Sequence, residues 1–568
     1  LHAGLSYVDD DLPAFEKYVQ QALAIAPGYG EVYRVAAEQT ARAYRFPEAV
    51  TLARRGLELD GDNSRALSDL GVHLLRTGDE PGARQVLERS FEIDPFDTVT
   101  FNLLQMMDQL DKFVTVESGP VILRMHPDEA PVLQDRAVAL ANEALETIGK
   151  RYGWEVEGPI LVEVFPRHDD FAVRNFGLPG MIGALGACFG KVVTMDSPRA
   201  RPPGEFLWEA TLWHEIAHVV TLTLSNQRLP RWLSEGISEY ESTVRRQEWD
   251  RAMHVTFASM LNQGETLKLE DLEASFMDPR TINLAYFEAS LVVEHLVELY
   301  GLDGLQRFVR AFADGVDVNE ALRRAFNTSF SDLQASFDAK VQRDFGEMQA
   351  VLEVPEEDIQ QMDLGQLRVF AAAHPRSYPV QLSLAHALLR DGQTDEAFKV
   401  FEVAADLLPT ATGEESPNVQ IAAISLERND SARAIEALES VITADFENID
   451  AARQLAELMR EQKVTDPARL RPVYDRIVAI DPFDARAQSE VGRLALARGD
   501  AAAAVNAFKT VLALAPVDRA AAHTDLAESY FRGGQVAEAR RQTLAALEIA
   551  PGYERAQDLL LELVGDRP

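Results

Sequence analysis

His214, Glu215 and His218 stand in the order H-E-x-x-H within Trp213-His214-Glu215-Ile216-Ala217-His218. On a helix, residues four apart share a face, so the two imidazoles can direct nitrogens at a single ion. Glu215, one step round, leans toward a water on that ion and can take its proton, because such a water, with a near-neutral pKa, needs a carboxylate within reach. The competing reading is two histidines on a polar helix face, and three fixed residues do not decide between the two.

Zinc at a catalytic site takes three protein ligands and keeps one position for water, so the histidine pair is one ligand short. Glu235 follows His218 by 17 residues, inside Leu229-Pro230-Arg231-Trp232-Leu233-Ser234-Glu235-Gly236-Ile237-Ser238-Glu239-Tyr240. The polar run from Ser225 to Pro230 reads as the end of one helix and the start of another. A second helix that folds back there can deliver Glu235 to the histidines; otherwise Glu235 is a surface glutamate at a helix start.

H-E-x-x-H followed by W-L-x-E-G-x-x-x-Y resembles the gluzincin metallopeptidases, the group containing thermolysin and the aminopeptidases related to leukotriene hydrolase. The resemblance covers about the central 230 residues, and its specific part is the motif. It implies that His214, His218 and Glu235 hold zinc and that Glu215 is the general base. Glu239, one helical turn after Glu235, matches an acidic residue that orients a ligand histidine in thermolysin-like members. Tyr286, within Leu284-Ala285-Tyr286-Phe287-Glu288-Ala289-Ser290, matches a tyrosine that hydrogen-bonds the oxyanion in aminopeptidase-like members; the bland reading is a core tyrosine. One departure stands out. The glycine-methionine-glutamate-asparagine strand by which the aminopeptidases hold a free amine is missing, and Gly186-Ala187-Cys188-Phe189-Gly190 stands at the edge instead. The expectation therefore turns toward an endopeptidase or an altered substrate. Asp196 is read as binding a basic group or capping a turn, and Ser238, Glu241 and His168 as surface polar groups.

The elements that must position these residues follow from periodicity. A helix is expected over 205–224, with Phe206, Leu207, Ala210, Trp213, Ala217 and Val220 facing a core. Upstream, 113–116, 121–125 and 159–165 read as strands, and 131–151 and 169–176 as helices. The glycine-rich stretch 177–190 and then 191–196 read as a hairpin whose last strand lies at the sheet edge beside the zinc helix. Gluzincins resemble this arrangement and let an extended substrate add to such an edge. From Ser242 to about Met348 the chain is expected to be helical, forming the other wall of a cleft.

Outside this region the grammar is repetitive. Pro27, Gly61 and Pro95 stand 34 residues apart, each after an apolar helix. Pro375, Pro409, Phe446, Pro482, Pro516 and Pro551 recur at 34 to 37. Small residues at fixed offsets, such as Gly71 with Ala83 and Gly492 with Ala504, complete the tetratricopeptide pattern. Each helical pair buries its apolar face only by stacking, and the concave surface commonly takes peptide.

Composition bounds the partners. The chain has 568 residues, 46% hydrophobic, with 91 acidic against 55 basic residues and a formal net charge of −36. Such a balance argues against nucleic acid or an anionic membrane surface. Cys188 is the single cysteine, so no internal disulfide forms, and no run of eighteen apolar residues marks a membrane span. The opening at Leu1-His2 rather than methionine, with the family resemblance, points to a bacterial cell envelope or periplasm and a leading segment removed.

The expected architecture is therefore multidomain: an α+β gluzincin-like metallopeptidase domain between two all-α tetratricopeptide-repeat solenoids. The expected bounds are 1–112 for the first array, 113–348 for the peptidase domain (sheet lobe about 113–224, helical lobe about 225–348) and 349–568 for the second array. The expected activity is zinc-dependent hydrolysis of peptide bonds, with Zn2+ as cofactor and a protein partner on the concave repeat surfaces. The rivals are a peptide-binding scaffold that has lost activity and a hydrolase of non-peptide substrates.

Overall fold

The structure is a computed structural model that describes residues 1–180, 183–354 and 359–565. At its centre is a five-stranded sheet formed by β1 (Val114–Ser118), β2 (Val121–Met125), β3 (Ile160–Phe165), β4 (Gly186–Cys188) and β5 (Val192–Asp196). The strand order is β1-β2-β3-β5-β4. β2, β3 and β5 run parallel, while β1 and β4 pair antiparallel on the two flanks. The strand expected at the edge, β5, is thus interior, with all five residues buried. The preceding strand β4 takes the edge. The reason is the β3–β5 pairing: the crossover through the helix His168–Phe176 lays β5 beside β3, and the hairpin then folds outward. Met181 and Ile182, inside the glycine-rich part of that expected hairpin, lie outside the described residues.

Both faces of the sheet are covered, but by different parts of the chain. Against one face pack the helices Ala130–Tyr152 and Trp208–Leu224, joining Leu123, Val162, Val193 and Met195 to Leu140, Leu212, Trp213 and Ile216. Against the other lie His168–Phe176 and the first array, joining Phe165, Phe189 and Val192 to Leu70, Leu74, Leu103 and Met106. Polar ties reinforce this second contact: Arg174, fully buried, donates to Glu163 at 2.8 Å and to the Leu75 carbonyl at 2.9 Å. Arg76 donates to the Asn175 carbonyl at 3.0 Å. The first array is therefore the second layer over the sheet.

Within the arrays, paired helices of about fourteen residues end where the spaced prolines and small residues stand, for example Glu80–Ile93 before Pro95 and Ala501–Ala513 before Pro516. Glycine is required where helices touch. A Cβ on Gly71 would meet the Leu87 side chain at 2.6 Å, and one on Gly492 would meet the Phe508 ring at 2.7 Å. Asp79, Asp500 and Asp518 cap successive helices by accepting from backbone N–H groups.

The second array also belongs to the central unit. Leu408, Ala411, Ile449 and Ile480, all at its inter-repeat turns, are buried in the same core as Trp213 and Ile216. Arg199 lies 4.0 Å from the Phe483 ring centroid, and Arg476 and Arg246 flank Phe446 at 4.3 and 5.7 Å. A Cβ on Gly204 would come within 2.8 Å of the Glu447 carbonyl. Among the described residues no helix is long and apolar enough to cross a membrane.

Ile449→Ala tests this shared core. A buried Ile-to-Ala change costs about 2–4 kcal/mol, and here it should lower the urea midpoint of the tryptophan-reported transition, whose probes Trp213 and Trp249 lie in the central unit. If the array unfolded independently, that midpoint would not move.

Candidate metal centre

The helix carrying the two histidines runs Trp208–Leu224, starting three residues later than the periodicity predicts. Phe206 and Leu207 are buried, but Leu207 is extended and serves as the N-cap. The helix stops at Ser225 because Asn226 and Gln227 both take left-handed conformations, φ 49° and 58°. Pro230 then opens the helix Arg231–Arg245. Two of its first free N–H groups, on Arg231 and Trp232, donate to the Glu273 carboxylate at 3.3 and 3.1 Å. An anion suits that position because unpaired N–H groups and the helix dipole both favour it. Gly236 lets this helix press on Ile282–Ala311, since a Cβ there would stand 2.6 Å from the Ala289 carbonyl.

These contacts bring three side chains together. His214 Nε2 and His218 Nε2 are 3.1 Å apart, and each is 3.2 Å from Glu235 Oε2. Among the described residues His214, His218 and Glu235 are the group able to hold a metal ion. Behind the ligand atoms, His214 Nδ1 lies 3.1 Å from Glu239 Oε1, and His218 Nδ1 lies 2.8 Å from Ser234 Oγ. A carboxylate that holds the proton of an imidazole at Nδ1 orients the ring and presents Nε2 to a third partner. Glu239 is itself held by Arg251 Nη2 at 2.8 Å. Burial alone would raise its carboxyl, but Arg251 and His214 outweigh burial and hold it at about 2. Glu235 is likewise buried, and the two imidazoles keep it well below the ordinary carboxylate range.

Glu215 is different. Burial pushes its carboxyl up, and its Oε2 has no hydrogen-bond partner among the described residues. It lies against the edge strand so closely that a Cβ on Gly186 would meet Glu215 Oε1 at 2.5 Å. Tyr286 sits on the opposite wall, its ring 6.3 Å from that of His214 and stacked beneath the Arg251 guanidinium at 4.1 Å. It is only partly buried, and Phe276, which packs against it at 4.9 Å, also lies under the Arg231 guanidinium at 5.3 Å.

Three residues expected at the surface are not there. Ser238 is fully buried in the Arg231–Arg245 helix. Glu241, also buried, accepts from Arg151 at 2.8 Å and from the Tyr152 hydroxyl at 3.0 Å, tying this helix to Ala130–Tyr152. His168 Nδ1 lies 2.8 Å from Asp196 Oδ2, which also accepts from Arg201 at 3.0 Å. Asp196 thus binds basic groups of its own chain. Sequence periodicity misleads here because helices packed on several sides bury polar as well as apolar stripes.

Sequence reasoning also passed over three residues, two of them beside the site and one buried in the helix that packs behind it. Gly186 carried the signal of a glycine inside a strand, which marks close approach of another group. Glu288 is 1% exposed and accepts the Leu267 N–H at 2.8 Å. Tyr44, from the first array, packs against the core around the site.

Residues 203–343 match the Peptidase MA superfamily, and residues 41–98 and 495–563 match tetratricopeptide repeat families. The chain carries a Peptidase MA superfamily domain flanked by tetratricopeptide repeats. No curated protein matches it. Among solved structures it is similar to YrrB, described as a TPR protein with an unusual peptide-binding site, at 17% identity over 34% of this chain and 98% of that one, TM-score 0.24. It is also similar to native yeast LTA4 hydrolase, at 13% identity over 73% and 66%, TM-score 0.28. The APC/C hetero-tetramer Cut9-Hcn1 is similar at 14% identity over 96% and 98%, TM-score 0.21. Such scores mark only slight superposition of whole chains.

Two measurements probe the surroundings of the site. Gly186→Ala would drive a Cβ into the Glu215 carboxylate and should cost about 1–3 kcal/mol in urea melts; an unchanged midpoint would mean that Glu215 need not lie against β4. Burial raises Glu288 to about 8 from an ordinary 4.5. Its protonated form suits the fold, so the stability it permits is complete below about pH 4.5 and is lost as pH rises toward 8. Glu288→Gln, which keeps the shape and cannot ionise, should remove from urea melts a decline on the order of a few kcal/mol across that window.

Proposed function

We propose that the chain is a zinc-dependent peptidase of the gluzincin type that hydrolyses peptide bonds in a peptide or protein substrate. The observation that carries this reading is the triangle of His214 Nε2, His218 Nε2 and Glu235 Oε2 with sides of 3.1 to 3.2 Å. Ligands at about 2.0–2.1 Å in a tetrahedron stand about 3.3 Å apart, so the donor set fits zinc in type, number and spacing.

Bound by these three residues, zinc would supply a Lewis acid and a water of near-neutral pKa. Glu215 takes the proton of the attacking water through Oε2, and returns it to the leaving amine as the amide C–N bond breaks. The carbonyl carbon gains the hydroxyl and leaves as a carboxylate. Tyr286 donates its hydroxyl to the oxyanion that develops on the substrate carbonyl, a role suited to a neutral donor packed between Arg251 and Phe276. Glu239 and Ser234 orient the two imidazoles. The free edge of β4 runs past Glu215, and an extended substrate can pair with it through main-chain hydrogen bonds. The repeat arrays support a protein or peptide partner, as tetratricopeptide repeats commonly do.

Purified protein should hold about one zinc per chain, lost in His218→Ala and kept in Glu215→Gln, which should abolish hydrolysis of casein. Zinc retained in the unsubstituted protein without any hydrolysis would favour a binding scaffold, and full activity in Glu215→Gln would end the mechanism. Tyr286→Phe should leave zinc content and melting temperature in place while turnover drops on the order of a hundredfold; a large fall in stability would instead mark a packing role.

A further inference from the structure

Tyr44 occupies an unusual place for its residue type. It sits in the turn between the helices Glu31–Arg42 and Phe46–Leu59 with φ 63°. The equivalent turns elsewhere in the arrays carry Asp10, Gly78, Gly392, Asn429, Lys463, Gly499 and Gly534, all with positive φ. Tyr44 and Gly78 are 34 residues apart, one repeat. A left-handed conformation is nearly free for glycine, tolerable for asparagine or aspartate and strained for a bulky aromatic residue. The repeat fold therefore does not ask for tyrosine here, and strain of this kind concentrates at functional positions.

What surrounds Tyr44 says where the strain is used. Its ring packs against Phe46 at 5.7 Å, and Phe46 packs at 5.2 Å against Phe189, which directly follows β4. Tyr44 touches both hydrophobic cores, the one on the histidine-helix face of the sheet and the one on the repeat face. A side chain can reach both only by passing round a sheet edge, and Phe189 shows that the edge is that of β4. The turn is clamped in place: Arg45 donates to the Tyr7 and Val8 carbonyls and to Asp10. Asp10 in turn accepts two bonds of 3.0 Å from Arg228, between the two metal-site helices. Tyr44 lies within electrostatic reach of Glu215 and Cys188 on one wall of the cleft and of Arg231 and Glu235 on the other.

We propose that the Tyr44 turn of the first array closes the cleft at the Phe189 end of β4, so that substrate extends only about three residues beyond the scissile bond on that side, at about 3.3 Å per residue. The count starts from Gly186, which touches Glu215, and ends at Phe189, where the turn stands. This inference rests on the peptidase reading and narrows the endopeptidase expectation: the bond cut is internal, but it lies within about three residues of one end of a peptide chain. The favoured substrates are then short peptides or chain termini rather than the interior of a folded or long unfolded protein.

The test is the length of the products. Intact holoprotein is incubated with a peptic digest of casein and, separately, with full-length denatured casein, and the fragments are sized by mass spectrometry. The expected result is short pieces released from one terminus, with the digest cleaved faster. Tyr44→Gly, which relieves the left-handed strain but gives up the packing of the ring, should lower the melting temperature while the protein stays folded, open the cleft, yield internal cuts and raise kcat/KM on long chains by about tenfold. Tyr44→Phe keeps the ring and should keep the limit. Internal cuts by the unsubstituted protein, far from both termini, overturn the proposal, as does an identical fragment pattern from Tyr44→Gly. No cleavage by any variant despite bound zinc would overturn the peptidase reading itself, and this inference with it.

Discussion

His214 Nε2, His218 Nε2 and Glu235 Oε2 stand 3.1 to 3.2 Å apart, each within hydrogen-bond reach of the other two, and much of the central domain serves to hold them there. Two helices must cross with their site-facing residues in register, so the connection at Asn226 and Gln227 turns sharply through left-handed backbone. Gly236 gives up its side chain so that the third helix can press from behind. Arg251 and Glu239 brace His214, and Glu241, bonded to Arg151 and Tyr152, pins the glutamate helix to the layer over the sheet. None of these groups needs to touch a ligand, yet each limits how far Glu235 can move from the histidines.

Much of the site could be read from residue types and spacing. The i, i+4 histidines, the turn at Ser225 to Pro230 and the glutamate that follows encode their own geometry, because helix period and a short connection leave little freedom. The same holds for the repeats, whose prolines and small residues mark helix ends and contacts at a fixed offset. What was not legible depended on long-range packing. Nothing local says that β5 inserts beside β3 while β4 takes the edge. Nothing local says that Glu241 is covered by a helix ninety residues upstream. Tyr44 is an intermediate case: aligning it with Gly78 one repeat later exposes an aromatic residue where the turn wants glycine, but only the fold shows that the turn packs against the core around His214, His218 and Glu235.

The arrays change meaning once their contacts are seen. Tetratricopeptide solenoids are commonly regarded as recruiting surfaces hung beside a catalytic domain. Here the first covers one face of the sheet through Phe165 and Phe189, and the second inserts Leu408, Ile449 and Ile480 into the core of the central domain. The helices Ala130–Tyr152 and Trp208–Leu224 lie on the same face of the sheet, so the repeats, with His168–Phe176, supply the layer over the other. Any partner bound on a concave repeat surface would therefore act on elements in contact with the cleft.

The site also shows why three carboxylates in one small volume need not share one chemistry. Glu235 and Glu239 each face an imidazole, and Glu239 also a guanidinium; these partners outweigh burial and keep both ionised. Glu215 is packed against a strand through Gly186, and its Oε2 is met by no donor among the described residues. Burial without a fixed partner raises a carboxyl, whereas burial with fixed cations lowers it. Groups whose environments push their protonation apart in this way divide into those that hold and those that exchange a proton. The division follows from packing alone: the glutamates on the second helix are committed to neighbours, and the Oε2 of the glutamate between the histidines meets no donor among the described residues.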